Sequence, residues 1–205
     1  MNVTLIDYGA GNLRSVANAL RAIGIEPNVA AAPEDLANTT HLVLPGVGSF
    51  GDCMEQLASR RLVGPIREWL AAGKPYLGIC LGYQILFGSS EESPGVAGLG
   101  LVPGSVRRFV RTPGLKIPHM GWNSVVPRQP DAGNWAGLGA EPDFYYVHSY
   151  FPVPDDPSVI AAETCYGEDK FAAAIELPNL LACQFHPEKS QEAGLRLIRN
   201  FLGHP

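Results

Sequence analysis

From Val3 to Cys80 one pattern recurs: a short apolar run, a glycine-bearing loop, then a stretch with apolar residues at helical spacing. The apolar runs are Val3 to Ile6, Asn28 to Ala31, His41 to Leu44 and the segment ending at Cys80. Between the first two, Leu13, Val16, Ala17, Leu20 and Ile23 recur at helical spacing, and Gly24 supplies the stop. Two more helical stretches cover about 52–57 and 62–72, the second closed by Gly73 and Pro75. Strands alternating with helices at this spacing imply right-handed crossovers. The result is an open, mostly parallel α/β sheet with helices on both faces. Sites in such sheets lie at the carboxyl ends of the strands. The loops 7–12 and 45–51 should therefore converge on Cys80.

The second half has another texture. From Ser89 to Pro142, glycine, proline and short apolar runs alternate without long helical periods. Residues 102–110 read as a β segment, and Pro118-His119-Met120-Gly121-Trp122-Asn123 as a constrained loop. Strand candidates follow at 144–148, 159–165, 171–177 and 180–185, which adds an extra antiparallel β segment to the fold. A last helix begins near Ser190, a plausible N-cap, with Leu195, Ile198, Phe201 and Leu202 on one face. No repeat, low-complexity tract or linker interrupts the chain, so residues 1–205 are expected to form one domain.

Gly78-Ile79-Cys80-Leu81-Gly82 is a strand ending on a cysteine with glycine two residues away on either side, and Gln84 to Phe87 reads as the helix that follows. This is the layout of a nucleophile elbow, in which the glycines remove Cβ atoms that would clash in the turn. A helix N-terminus also favours negative charge on a sulfur placed there. The competing reading is an inert buried thiol. A cysteine nucleophile needs a base, and the base an orienting group. His186 ends an apolar run, Pro187 stiffens the turn, and Glu188 can hold the imidazole. His148 is the other candidate base. A zinc reading of His186-Pro187-Glu188 lacks the P-C-x-x-C partner it requires.

Gly46-Val47-Gly48-Ser49-Phe50-Gly51 matches a dinucleotide fingerprint, but it follows the third strand, and the acid at the required distance, Glu68, falls within a helical pattern. A nest of backbone N–H groups for an oxyanion fits better. Trp122, between Gly121 and Asn123, is either a core plug or a partner anchor. A net charge of −5 and the absence of a basic run argue against nucleic acid. The four cysteines show no C-x-x-C spacing, the N-terminus lacks a signal pattern, and no apolar run reaches membrane length, so a reducing cytoplasm is expected.

Together, Gly78-Ile79-Cys80-Leu81-Gly82-Tyr83-Gln84 and His186-Pro187-Glu188 resemble the elbow and the late H-P-E of the class I, triad-type glutamine amidotransferases, whose fold is flavodoxin-like. Within that class, Lys116-Ile117-Pro118-His119-Met120-Gly121-Trp122-Asn123, Asp7 to Asn12, Pro45-Gly46-Val47-Gly48 and Tyr146 to Tyr150 resemble the family of glutaminase subunits of imidazole glycerol phosphate synthase. Tyr83 stands where that family commonly has Met. The resemblance implies that Cys80 attacks glutamine, with His186 as proton shuttle and Glu188 as its orienter. It also implies an oxyanion hole around Gly46, Val47 and Leu81, and a glutamine site at Gln84, His148, Ser149 and Tyr150. No cofactor or metal is implied. Ammonia would pass to a cyclase subunit, a (β/α)₈ barrel, docked near Asn12, Trp122 and Lys189 as a heterodimer. The alternatives are a glutaminase subunit of another synthase, such as that of pyridoxal phosphate synthase, and a non-catalytic flavodoxin-like module.

Overall fold

The computed structural model describes residues 1–10 and 12–203. Gly11 of the 7–12 loop and the tail histidine His204 lie outside the described residues. An eight-stranded sheet organises the chain. Its strands are β1 (Val3–Ile6), β2 (Asn28–Ala30), β3 (His41–Gly46), β4 (Tyr76–Cys80), β7 (Val126–Pro127), β10 (Ile160–Tyr166), β11 (Asp169–Leu177) and β12 (Leu180–Cys183), in the order β2-β1-β3-β4-β12-β11-β10-β7. Pairing is parallel from β2 across to β12 and antiparallel from β12 to β7. Two antiparallel pairs stand apart from it: β5 (Gly104–Arg108) with β9 (Tyr150–Pro154), and β6 (His119–Ser124) with β8 (Asp143–His148).

Helices cover both faces, as the alternation requires. One face of the parallel strands (Val3, Leu5, Val43, Leu77, Ile79, Leu181) packs on α1 (Leu13–Ala22) and α5 (Gln191–Leu202) through Val16, Leu20, Leu197 and Ile198. The opposite face (Ile6, Leu42, Leu44, Tyr76, Ala182) packs on α2 (Phe50–Ser59) and α3 (Val63–Ala71) through Phe50, Leu57, Ile66 and Trp69. Strands buried on both sides are continuous apolar runs, which is why β1, β4 and β12 could be read directly.

Three sequence expectations change. The helix after Cys80 is α4, Leu81–Gln84, not Gln84 to Phe87. The chain turns out of it because the carbonyls of Ile85 and Leu86 accept N–H groups of Leu99, Leu101 and Val102. Pro118 to Asn123 is not a loop, since β6 runs through it, opposite β8. Ser190 does precede α5, but its hydroxyl makes no cap. It donates instead to the His186 carbonyl at 2.6 Å and accepts the Tyr145 N–H at 3.0 Å.

Candidate active site

β3, β4 and β12 end side by side, with Gly46 opposite Cys80 in the register. The turn at Cys80 is forced: its backbone has φ +54 and ψ −101, a conformation side chains rarely adopt. The glycines permit it. A Cβ at Gly78 would lie 2.7 Å from the Gly82 carbonyl, and one at Gly82 would run into the Leu44 carbonyl. A Cβ at Gly46 would meet both Leu81 and the Tyr8 hydroxyl at 2.7 Å, so β3 approaches the elbow only as glycine.

His186 follows β12, and its ring is buried. Its Nδ1 lies 2.9 Å from Glu188 Oε1, and the Glu188 side chain is itself 1% exposed. With Nδ1 held, Nε2 is the nitrogen left without a hydrogen-bond partner. Burial pulls the imidazole pKa down, but the adjacent Cys80 and then Glu188 outweigh it and lift it to about 10. The imidazole therefore carries its proton beside the sulfur. Burial pushes the Cys53 thiol up to about 12 and the Cys183 thiol well above its usual range.

His148 is not a free base. Its Nδ1 donates to the Tyr150 carbonyl at 2.9 Å, its Nε2 lies 3.0 Å from His119 Nδ1, and burial lowers it to about 3.

A cleft of about 220 Å³ opens over Cys80, lined by Val47, Gly48, Leu81, Gln84, Glu92 and the Val147–Tyr150 segment. That is below the ~300–1,000 Å³ of drug-sized sites and suits a single amino acid. The larger hollow along Arg111 to Met120 is an open surface feature with no cysteine in its lining.

The glycine loop is shorter than the sequence suggests, because α2 begins at Phe50 with Ser49 as its N-cap. The N–H groups of Phe50, Gly51 and Asp52 go to Glu92 (2.7 Å), Ser93 (2.9 Å) and Ser49 (3.2 Å). No helix-end donors remain there for a dinucleotide phosphate, and Glu68 sits inside α3. Within the glycine loop, donors for an oxyanion are confined to residues 46–48, where the Tyr8 hydroxyl donates to the Val47 carbonyl at 3.4 Å.

Two residues of this neighbourhood were missed in the sequence. Glu92 puts a carboxylate in the cleft, and burial raises its pKa against the Phe50 N–H bond. Gln184 is fully buried, with its amide nitrogen 3.5 Å from the Cys80 sulfur.

Gln84 is buried, and its amide nitrogen donates to the Tyr150 carbonyl. Trp122 is 49% exposed on β6, so it is no core plug. It meets the Tyr145 ring edge-on at 6.2 Å, and the Lys189 ammonium lies 5.7 Å over that same ring. Asn12 precedes α1 and accepts the Ser15 hydroxyl at 2.7 Å; α1 packs against the turn that carries Lys189.

The family profile described as glutamine amidotransferase class-I matches residues 4–204. The chain belongs to the class I glutamine amidotransferases. It is 48% identical over 200 residues to the imidazole glycerol phosphate synthase subunit HisH of Synechococcus elongatus, covering 98% of this chain and 92% of that protein. It is 46% identical to the imidazole glycerol phosphate synthase hisHF of Emericella nidulans, covering 98% of this chain and 37% of that protein. Among solved structures, PurLQS from Thermotoga maritima superposes with a TM-score of 0.76 at 22% identity, covering 98% of this amidotransferase and 97% of that chain. That likeness speaks to the fold alone.

Proposed function

We propose that this amidotransferase is the glutaminase subunit of an imidazole glycerol phosphate synthase, releasing ammonia from glutamine in histidine biosynthesis. One observation carries the reading: His186 is held at Nδ1 by Glu188 and bare at Nε2, beside the strained Cys80.

In this reading the Cys80 sulfur adds to the side-chain carboxamide carbon of glutamine. Backbone N–H groups of Val47 and Leu81, with Gly46 leaving the room, face the oxyanion. His186 gives its proton to the departing nitrogen, and ammonia leaves behind a γ-glutamyl thioester. His186 then takes a proton from water, which attacks the thioester and frees glutamate and the thiol. Glu188 orients the imidazole and steadies its charge.

Glu92 meets the ammonium group of the bound amino acid, and Ser149 and Tyr150 present backbone. Gln84 and His148 shape the wall, since their nitrogens are already engaged.

The partner in this reading is a cyclase subunit, a (β/α)₈ barrel, joined as a heterodimer in the cytoplasm, where its lyase reaction consumes the ammonia. Residues 1–205 act as one domain. Asn12, Trp122 and Lys189 mark the docking face. There Met120 and Trp122 project from β6 at 61% and 49% exposure, opposite Val147 and Tyr145 of β8. Val147 also lines the cleft, so the face and the site are continuous.

The test is glutamate release from glutamine, with and without a cyclase. Cys80→Ala should abolish it while the complex still turns over free ammonia. Glutamine hydrolysis by Cys80→Ala would overturn the reading.

A further inference from the structure

We propose that Gln184 is a further catalytic residue, a hydrogen-bond donor that holds the Cys80 sulfur ready as an anion; the inference rests on Cys80 being the nucleophile. Gln184 has no exposed surface, and it sits two residues before His186, where its backbone N–H donates to the Ala173 carbonyl at 2.8 Å. A buried primary amide is costly unless its polar atoms are matched.

Its orientation is settled by its neighbours. The Gln84 amide nitrogen must donate to the Tyr150 carbonyl (2.9 Å), so its second N–H is the one that meets Gln184 Oε1 at 3.0 Å. With Oε1 fixed as the acceptor, Nε2 of Gln184 is left facing the Cys80 sulfur at 3.5 Å. The Tyr150 carbonyl is anchored from the other side by His148 Nδ1 at 2.9 Å. His148 Nε2 accepts from His119 Nδ1 at 3.0 Å, and His119 Nε2 accepts from Asn123 at 3.2 Å. Asn123 Nδ2 in turn reaches the Cys165 carbonyl at 2.9 Å, so carbonyl acceptors fix every donor in the run.

The chemistry follows from the donor. Neutral sulfur is a weak acceptor, whereas a hydrogen bond to an ionised partner is about twice as strong as one between neutral groups. An amide N–H therefore favours the thiolate. An amide takes no proton, so Gln184 does not compete with His186 for the one that must reach the leaving nitrogen. It also tethers a side chain whose backbone is already forced by the elbow.

The experiment uses the full chain with its cyclase and two variants of matched size. Gln184→Met removes the donor. Gln184→Glu keeps the acceptor for Gln84 and places a carboxylate oxygen against the sulfur. The groups facing Cys80 are unchanged in both: His186 and Glu188 from the turn after β12, Tyr8 after β1, Cys183 of β12, and His148 and Glu92 along the cleft.

Glutaminase kcat should fall roughly 10–100-fold with KM within about threefold, as for loss of a hydrogen bond to a charged group. The pH midpoint of Cys80 alkylation by iodoacetamide, read by peptide mapping, should rise in both variants and furthest in Gln184→Glu. Ammonia-driven turnover should be unchanged. In the wild-type chain, the Gln184 side-chain amide resonances should shift with the same midpoint as Cys80 alkylation, a readout that needs no variant. Wild-type kcat and midpoint in both variants, or amide resonances that ignore the titration, would overturn the proposal. Cys80→Ala run in parallel separates the two failures: an active Cys80→Ala sinks the nucleophile, whereas an inactive one beside fully active Gln184 variants sinks only Gln184.

Discussion

The backbone N–H of His186 donates to the carbonyl of Tyr145 at 2.8 Å, and the ring of that same tyrosine meets both Trp122 and Lys189. One residue of β8 thus touches the exposed face with its side chain and holds the base with its backbone. A partner that packs on the face acts on the strand that positions the imidazole. Trp122→Ala should weaken cyclase binding by about 2 kcal/mol or more, as for a central aromatic anchor. Cyclase-stimulated glutaminase should fall with it, while the melting temperature of the lone chain stays put. Calorimetric titration beside a glutamate assay checks both, and undiminished binding would move the anchor elsewhere.

The two halves of the ion pair should fail unequally. His186→Ala removes the group that moves protons, so glutaminase should drop by several orders of magnitude. Glu188→Gln keeps a hydrogen-bond acceptor near Nδ1 but withdraws the charge that steadies the imidazolium, and should cost less. Single-turnover kinetics of the two variants would rank them. The opposite order would reassign the proton shuttle.

Val47 sits in the segment left for oxyanion binding, and the Tyr8 hydroxyl holds its carbonyl. A β-branched residue resists backbone rotation. The lone chain should therefore hydrolyse glutamine slowly, about a hundredfold or more below the complex with cyclase and a substrate analogue, the value of one missing oxyanion donor. Val47→Gly and Tyr8→Phe should each raise the rate of the lone chain. Full activity of the unmodified lone chain would remove the gating role and leave the cysteine chemistry intact.

Acid should destabilise the fold through His119 and His148, neither of which shares the His186–Glu188 bond. Burial lowers His119 to about 4 and His148 to about 3, against an unfolded value near 6.5. Between those limits the unfolded chain binds protons that the folded chain refuses. Stability is therefore complete above about pH 6.5 and falls as pH drops toward 4 and then 3. At roughly 1.4 kcal/mol per pH unit for each histidine, the loss by pH 5 is on the order of 4 kcal/mol. His186 has the opposite sign: raised to about 10, it contributes stability below its unfolded value that is lost as pH rises through 10. Urea unfolding at pH 7.5 and pH 5 measures the acid arm, and His119→Gln should flatten it.

The parallel half of the sheet and the elbow were legible because local chemistry and burial agree there. Strands buried on both faces read as apolar runs, and the clashes at Gly78 and Gly82 leave glycine no substitute. β6 was illegible for a physical reason. Its inward residue His119 is polar and stacks between Tyr146 and Tyr166, while its outward residues Met120 and Trp122 are apolar. A strand that inverts the usual alternation carries no strand signal. Glu92 lies in a polar turn with no period to mark it. Gln184 did carry a signal, a lone amide inside the apolar run from Leu180 to Phe185, whose partners are the Gln84 amide and the Cys80 sulfur.

β12 lies between β4 and β11, and it is the last strand of the sheet to be synthesised. It fills a central slot, not an edge. On the ribosome, the elbow emerges long before the strand that brings its base, with 104 residues separating Cys80 from Gln184. A nascent chain that has not reached Leu180 holds a cysteine without an imidazole, and a sheet with a gap at its centre. Contacts this distant in sequence form late in folding. On the proposed chemistry, competence to hydrolyse glutamine arrives only when the final strand closes the sheet.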